Sequence, residues 1–184
     1  MAMDEVITIP NGYKTIDKMG NTICLEVFCL DEKDLISMLK TMPRLEEVDL
    51  EYSVATDAVV AQLSKCKDLK IVRIGKIEDS GRNKLTNKSL ESLACCKNLE
   101  CVTIRGLGIN DRGVELLVGN QKIEQLDLTD CSISRKSHKV FKKFARLESL
   151  RLSTPGWTKK EFDSFTKQLP KVKVHSITPM REKH

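Results

Sequence analysis

A hexad of hydrophobic and polar residues recurs along most of the chain. Its first, fourth and sixth places are apolar, in the form L-x-x-L-x-L. Five consecutive copies begin at Leu45, Leu69, Leu99, Ile123 and Leu147. These starts are 24, 30, 24 and 24 residues apart. Alternation of apolar and polar residues over a few positions is typical of a strand with one buried face, so each hexad predicts a short strand.

Two weaker copies flank the five. Leu25–Leu30 begins 20 residues before Leu45, and Val172–Ile177 begins 25 residues after Leu147. Self-similarity at a period of about 20 to 50 residues is the signature of a repeat architecture, so these copies predict a continuous stack of similar turns.

A helical pattern follows each hexad. In the clearest case, Thr56-Asp57 precedes Val59, Val60, Leu63 and Cys66 at helical spacing. The other segments start at Thr86, Asn110, Ser134 and Thr158. A Thr, Asn or Ser side chain at the start of a helix accepts a hydrogen bond from an otherwise unpaired backbone N–H. Residues Asp31–Met42 predict an additional helix at the beginning of the series.

Strand, turn and helix therefore form one repeating unit. A lone unit cannot bury its apolar face, whereas stacked units share a continuous core. The sequence predicts an α/β fold in the form of a short solenoid. Because helices are wider than strands, its parallel sheet lies on the concave face and its helices on the convex face.

This pattern resembles the leucine-rich repeat, and in particular its cysteine-containing subclass. The resemblance covers Leu25 to Ile177 and includes Thr56-Asp57 with Cys66, Thr86-Asn87 with Cys95-Cys96, and Cys131 after a strand. The subclass is found in F-box substrate receptors of ubiquitin ligases. The resemblance thus implies a protein-binding adaptor, and one role it suggests is substrate recognition by a ubiquitin ligase.

The repeats also predict the organisation of the chain. Residues 1–24 lack the repeat and are expected to fold as an N-terminal cap over the open edge of the core. Residues 25–178 form the leucine-rich repeat domain, closed at its end by Val172, Val174 and Ile177, and residues 179–184 form a tail. The extra residues in the longest spacing fall on Glu78–Lys84, which are either a binding loop or an insertion without function.

Outward-facing strand positions are the candidate binding site. They are the third and fifth places of each hexad and the residue after it; in the weak first copy they are Val27 and Cys29. The predicted partner-binding residues are Glu47, Asp49, Glu51, Ile71, Arg73, Thr103, Arg105, Gln125, Asp127 and Arg151. Mixed charge with one apolar residue suits a protein partner better than a phosphate backbone. Arg73 and Arg105 are expected to face solvent, so their reversal should abolish binding without unfolding. The alternative is that these side chains only keep the sheet soluble.

Charge supports a second candidate function. The net charge is +5, yet residues 121–184 contain 15 Lys and Arg against 7 Asp and Glu, and residues 1–120 contain 16 against 19. The basic residues concerned are Arg135, Lys136, Lys139, Lys142, Lys143, Arg146, Lys159, Lys160, Lys167, Lys171 and Lys173. This half could bind nucleic acid, but aromatic residues are only 4% of the chain and Trp157 is the one expected to be exposed. A solvated helical face is the simpler interpretation.

The sequence offers little for catalysis. Its three His residues lie in different elements, and no nucleotide-binding, metalloprotease or triad signature is present. Its seven cysteines form neither a C-x-x-C pair nor a zinc pattern. We therefore expect a protein that is not an enzyme and has no metal or cofactor. Free cysteines and the lack of a long apolar run favour a cytoplasmic or nuclear protein without membrane contact; a subunit of a larger assembly is a third possibility.

Overall fold

The computed structural model describes residues 4–75 and 84–178. Most of the predicted insertion at Glu78–Lys84, and the predicted tail at 179–184, lie outside the described residues. Within them, nine strands form one sheet in chain order. The strands are β1 (Glu5–Ile9), β2 (Gly12–Ile16), β3 (Thr22–Phe28), β4 (Glu47–Tyr52), β5 (Ile71–Ile74), β6 (Cys101–Ile104), β7 (Gln125–Leu128), β8 (Ser149–Leu152) and β9 (Lys173–Ser176).

Helical segments connect the strands from β3 onward, and these strands pair in parallel. They are α1 (Glu32–Leu39), α2 (Asp57–Leu63), α3 (Asn87–Leu93), α4 (Asp111–Leu116), α5 (His138–Phe141) and α6 (Lys159–Lys167). Short 3-10 turns adjoin α4 and α5. The predicted fold class is confirmed: the chain is an α/β leucine-rich-repeat-type solenoid with a parallel sheet on its concave face and helices on its convex face.

The five hexads lie in register on successive strands. In the fourth place, Val48 pairs with Val72, Val72 with Val102, Val102 with Leu126 and Leu126 with Leu150. The first, fourth and sixth places of these hexads are at most 5% exposed. Stacking of identical places on adjacent strands creates the continuous aliphatic core that the repeat predicts.

Each predicted helix start is confirmed by its capping hydrogen bonds. Thr56, Thr86, Asn110, Ser134 and Thr158 each accept a bond from a backbone N–H two or three residues later. The helical segments begin there because these side chains replace the missing intrahelical acceptors, and at Ser134 the capped segment is the 3-10 turn before α5.

The prediction for the first hexad is wrong by three residues. Leu25 pairs with Val48 and therefore holds the fourth place of a hexad that begins at Thr22. Val27 then takes the sixth place and is 1% exposed, whereas the sequence prediction had it facing outward. Cys29 is exposed but lies beyond the end of β3.

The N-terminal segment, expected as a cap, extends the sheet, and its Ile9 packs against the core. Strands β1 and β2 form an antiparallel hairpin, and β2 pairs with β3. Strand β3 runs across residue 24, where the sequence predicted the end of the N-terminal cap. Gly12 is needed at this junction because a Cβ atom there would lie 2.0 Å from the carbonyl oxygen of Glu26.

At the other end of the solenoid, Val172 and Val174 pack against the core as predicted. Ile177 does not, and is 53% exposed. Because Ser176 pairs with Leu152, Ser176 holds the sixth place and Ile177 falls outside the strand.

Candidate functional site: the concave face

The concave face consists of the third and fifth places of the hexads on β3 to β9 and of the residue that follows each hexad. All ten residues predicted to bind a partner lie on it. The third-place row is Cys24, Glu47, Ile71, Cys101, Gln125, Ser149 and Lys173. The fifth-place row is Glu26, Asp49, Arg73, Thr103, Asp127, Arg151 and His175.

Arg105 joins two carboxylates on either side of it. Its Nη1 lies 3.1 Å from Glu51 Oε1, and its Nη2 lies 3.1 Å from Asp127 Oδ2. The side chains of Arg105, Glu51 and Asp127 are 16%, 20% and 11% exposed. We call these three residues the Arg105 cluster. Its arginine is shielded from solvent, which contradicts the prediction that Arg105 is free to meet a partner.

Gly75 makes this cluster possible. Arg105 follows β6 and Glu51 lies on β4, so the guanidinium must cross the end of β5, where Gly75 stands. Gly75 has φ +107°, and a Cβ atom there would lie 2.6 Å from the carbonyl oxygen of Arg105. Only glycine adopts this backbone conformation readily, and only glycine leaves room for the close approach.

Arg73 has a different environment. Its Nη1 lies 2.5 Å from Glu47 Oε1, and the two side chains are 34% and 35% exposed. The hydrogen bond to Glu47 raises the pKa of the Arg73 guanidinium above its usual value. This pair lies at the surface of the face, so Arg73 remains partly accessible, although it is not free of partners.

Two further predicted residues lie on the face but are covered by their neighbours. Asp127 is 9% exposed, since Arg105 and Arg151 reach its carboxylate from adjacent strands. Thr103 is 8% exposed and lies between Arg73 and Asp127 in the fifth-place row. Outward direction thus does not ensure exposure, because long charged side chains shield short ones.

The remaining predicted residues are accessible to different extents. Gln125 and Arg151 are exposed, and Asp49 and Ile71 are partly exposed. The sequence prediction missed Glu26, which is exposed in the fifth place of β3, because it assigned the wrong register to the first hexad. A signal was present: a hexad beginning at Thr22 starts 23 residues before Leu45, closer to the usual 24 than the assumed 20.

Five cysteines that are buried or partly buried are not poised for reaction. Burial raises the pKa of the Cys96 and Cys131 thiols to about 12, and it also raises the pKa of Cys24, Cys66 and Cys101. A thiol reacts as its thiolate, which these groups do not form near neutral pH. In the described part of the chain, no three His, Cys, Asp or Glu side chains are placed to hold a metal ion.

The basic second half contains many internal ion pairs. Arg135 lies 2.6 Å from Glu161, and Lys143 lies 2.6 Å from Glu115. Trp157 is only 5% exposed and packs edge-on against Phe165 at 5.2 Å between centroids, so it is not the exposed aromatic residue that was expected. An open groove of about 850 Å³ near the ends of α5 and α6 is lined by four basic residues, Lys142, Arg146, Lys167 and Lys171, and by two acidic residues, Glu124 and Glu148.

Residues 4–75 and 84–178 contain no helix with the length and hydrophobicity needed to cross a bilayer.

These features define the class of protein by its architecture, a leucine-rich-repeat-type solenoid with an open, charged concave face. No protein-family model matches the sequence, and no curated protein matches it. Among 48 chains of solved structures that match is an internalin, inlF, from Listeria monocytogenes, with 15% identity and a TM-score of 0.44. The match covers 84% of this chain and 54% of the internalin chain, so this chain spans about half the length of that structure.

Proposed function

We propose that the chain is a non-enzymatic protein-binding module that holds its partner on the concave face. The observation that carries this proposal is the accessible part of that face, where acidic, basic, amide and apolar side chains are interspersed. Glu26, Gln125 and Arg151 are exposed, and Ile71 is partly exposed between them. Such mixed surfaces suit protein partners, whose own charges are mixed.

Affinity capture with blocked variants tests this function. Gln125→Arg together with Ser149→Arg adds bulk in the third-place row, where side chains point away from the core. Ser164→Arg, at an exposed position of helix α6, is the control. We expect proteins captured by the wild-type chain and by the control to be lost with the double variant. Capture that is unaffected by the double variant would exclude the concave face as the binding surface.

The finer assignment rests on the resemblance to F-box substrate receptors. We propose that the module acts as an adaptor in ubiquitin-ligase substrate recognition, in the cytoplasm or nucleus. Quantitative mass spectrometry of the same captured material tests it. Recovery of ubiquitin-ligase subunits that depends on an unblocked concave face supports this role, and their absence removes it without affecting the general binding function.

Nucleic-acid binding is a second candidate because of the basic groove near α5 and α6. Phosphate contacts release counterions, so such binding weakens steeply with salt. A salt titration with a labelled single-stranded oligonucleotide tests it, and Lys142→Glu with Lys167→Glu should abolish any binding. The internal ion pairs in this half reduce the positive charge available and favour the protein partner.

A further inference from the structure

Ion pairs engage the charged side chains in the middle of the concave face. Arg73 pairs with Glu47, and Arg105 pairs with Glu51 and Asp127. Charges in such pairs already have partners, so a bound protein gains little from contacting them. Orientation must therefore be determined by the charges at the two ends of the face.

The β3–β4 end is acidic. Glu26 is exposed and adjacent to Asp49 in the fifth-place row. Within the described ranges neither carboxylate takes part in an ion pair; Asp49 accepts one hydrogen bond, from the backbone N–H of Glu51 at 3.0 Å. No Lys or Arg occupies a place of the concave face on these two strands.

The β8–β9 end is basic. Arg151 is 59% exposed and reaches Asp127 only at 4.0 Å, while Asp127 already pairs with Arg105. Lys173 is exposed on β9. The other places of the concave face on these strands hold Ser149, Ser153, His175 and Ile177, so no carboxylate is present there.

We infer that the partner lies across the strands in a single orientation, with a basic patch over Glu26 and Asp49 and an acidic patch over Arg151 and Lys173. This inference rests on the proposed protein-binding function. Five strand spacings of about 4.8 Å separate the centres of the two ends by about 24 Å. That distance corresponds to roughly 16 residues of α-helix. The reverse orientation places like charges together at both ends and is disfavoured.

A designed helical peptide tests the orientation. It has Asp and Glu in its first turn and Lys and Arg in its last turn, which suits the helix dipole, and about 16 residues between the two charged groups. A nitroxide label is attached at one end or the other, and amide signals of the isotope-labelled protein are recorded. We expect the label at the basic end to broaden the amides of β3 and β4, and the label at the acidic end to broaden those of β8 and β9.

Reversal of the two ends provides the decisive variant. With Glu26→Lys, Asp49→Lys, Arg151→Glu and Lys173→Glu together, the broadening should change ends. Glu91→Lys with Lys139→Glu, which also conserves net charge but at exposed helical positions, should leave it unchanged. If the fourfold variant does not fold, Glu26→Gln with Asp49→Asn should remove the broadening at β3 and β4 by the basic end.

The possible failures are distinguishable. Broadening on the concave face without a preferred end would overturn the inference and leave the proposed function intact. Broadening of helix amides, or no broadening at millimolar peptide, would overturn the inference. Affinity capture with the Gln125→Arg, Ser149→Arg variant would then test the proposed function separately.

Discussion

Two polar networks connect neighbouring turns of this solenoid, one at the starts of the helices and one on the concave face. The first recurs at successive turns, and the second occurs once in the part of the chain that the structure describes. The comparison distinguishes contacts that recur because the sequence repeats from contacts that depend on residues found in single turns.

The helix-start network consists of the first residue of one helix bonded to the capping residue of the next. Asp57 accepts bonds from the Thr86 N–H at 2.9 Å and from the Thr86 hydroxyl at 2.6 Å. Equivalent bonds are made by the Asn87–Asn110 and Asp111–Ser134 pairs. Each bond satisfies a capping group that the helix itself leaves unpaired, so the same residue types recur at the same places.

Among residues 4–75 and 84–178, the Arg105 cluster has no equivalent in other turns. It needs a long cation after β6, carboxylates on β4 and β7, and a glycine at the end of β5. Because it depends on four residues from four turns, loss of one should disturb it more than loss of one helix-start bond. The following predictions test that difference, from the largest effect to the smallest.

Gly75→Ala should lower the free energy of unfolding by roughly 3 to 5 kcal/mol, because it combines a strained positive φ with a clash against the Arg105 carbonyl. Gly156→Ala is the matched control, since Gly156 also has positive φ, at +76°, but nothing lies within 4 Å of its Cβ position. Urea denaturation measures both. Equal losses would mean that backbone strain alone matters and that the close approach to Arg105 does not.

Arg105→Ala should lower the free energy of unfolding by about 3 kcal/mol, because it removes the cation of the shielded Glu51 and leaves Asp127 only the more distant Arg151. Adding Glu51→Ala to this variant should recover part of the loss, and the double-mutant cycle gives the coupling energy. A coupling near zero would show that the cluster contributes nothing as a unit. A loss of about 3 kcal/mol would contradict the expectation from the sequence that the charge of Arg105 can be reversed without unfolding the chain.

Asp57→Asn should destabilise the chain by about 1 to 2 kcal/mol at pH 7, through weaker hydrogen bonds to Ser89 and Thr86. Burial by itself raises the pKa of the Asp57 carboxyl, but the hydrogen bonds from Ser89 and Thr86 outweigh it, so the pKa is lowered. A lowered pKa stabilises the fold above the usual carboxyl range, and this contribution is lost as pH falls through the folded pKa.

The difference between wild-type and Asp57→Asn should therefore shrink in acid. Chemical denaturation from pH 7 downward measures it, with Glu91→Gln on the exposed surface of α3 as the control carboxylate. A difference that stays constant with pH would show that protonation of Asp57 is not linked to folding.

Arg73→Ala should lower the free energy of unfolding by about 0.5 kcal/mol or less, because its pair with Glu47 is partly solvated. High salt should reduce even this effect. A loss as large as that of Arg105→Ala would remove the distinction between the surface pair and the shielded cluster.

The amino-acid pattern alone predicts the repeat, the order of strands and helices from β3 onward, the aliphatic core and the capped helix starts. These follow from local rules: alternation selects the buried face of a strand, and a capping side chain bonds within its own turn. The five strong hexads were also assigned to their correct places, since one apolar pattern recurs in each.

Tertiary contacts set the register of the first hexad, the exposure of Ile177 and the burial of Arg105, Asp127 and Thr103. Two weak patterns at the ends of a stack fit more than one register, and pairing with the neighbouring strand selects between them. Exposure on the concave face depends on side chains from strands that are distant in sequence. Arg105 is shielded because Glu51, Gly75 and Asp127 meet it across four turns, which no local pattern encodes.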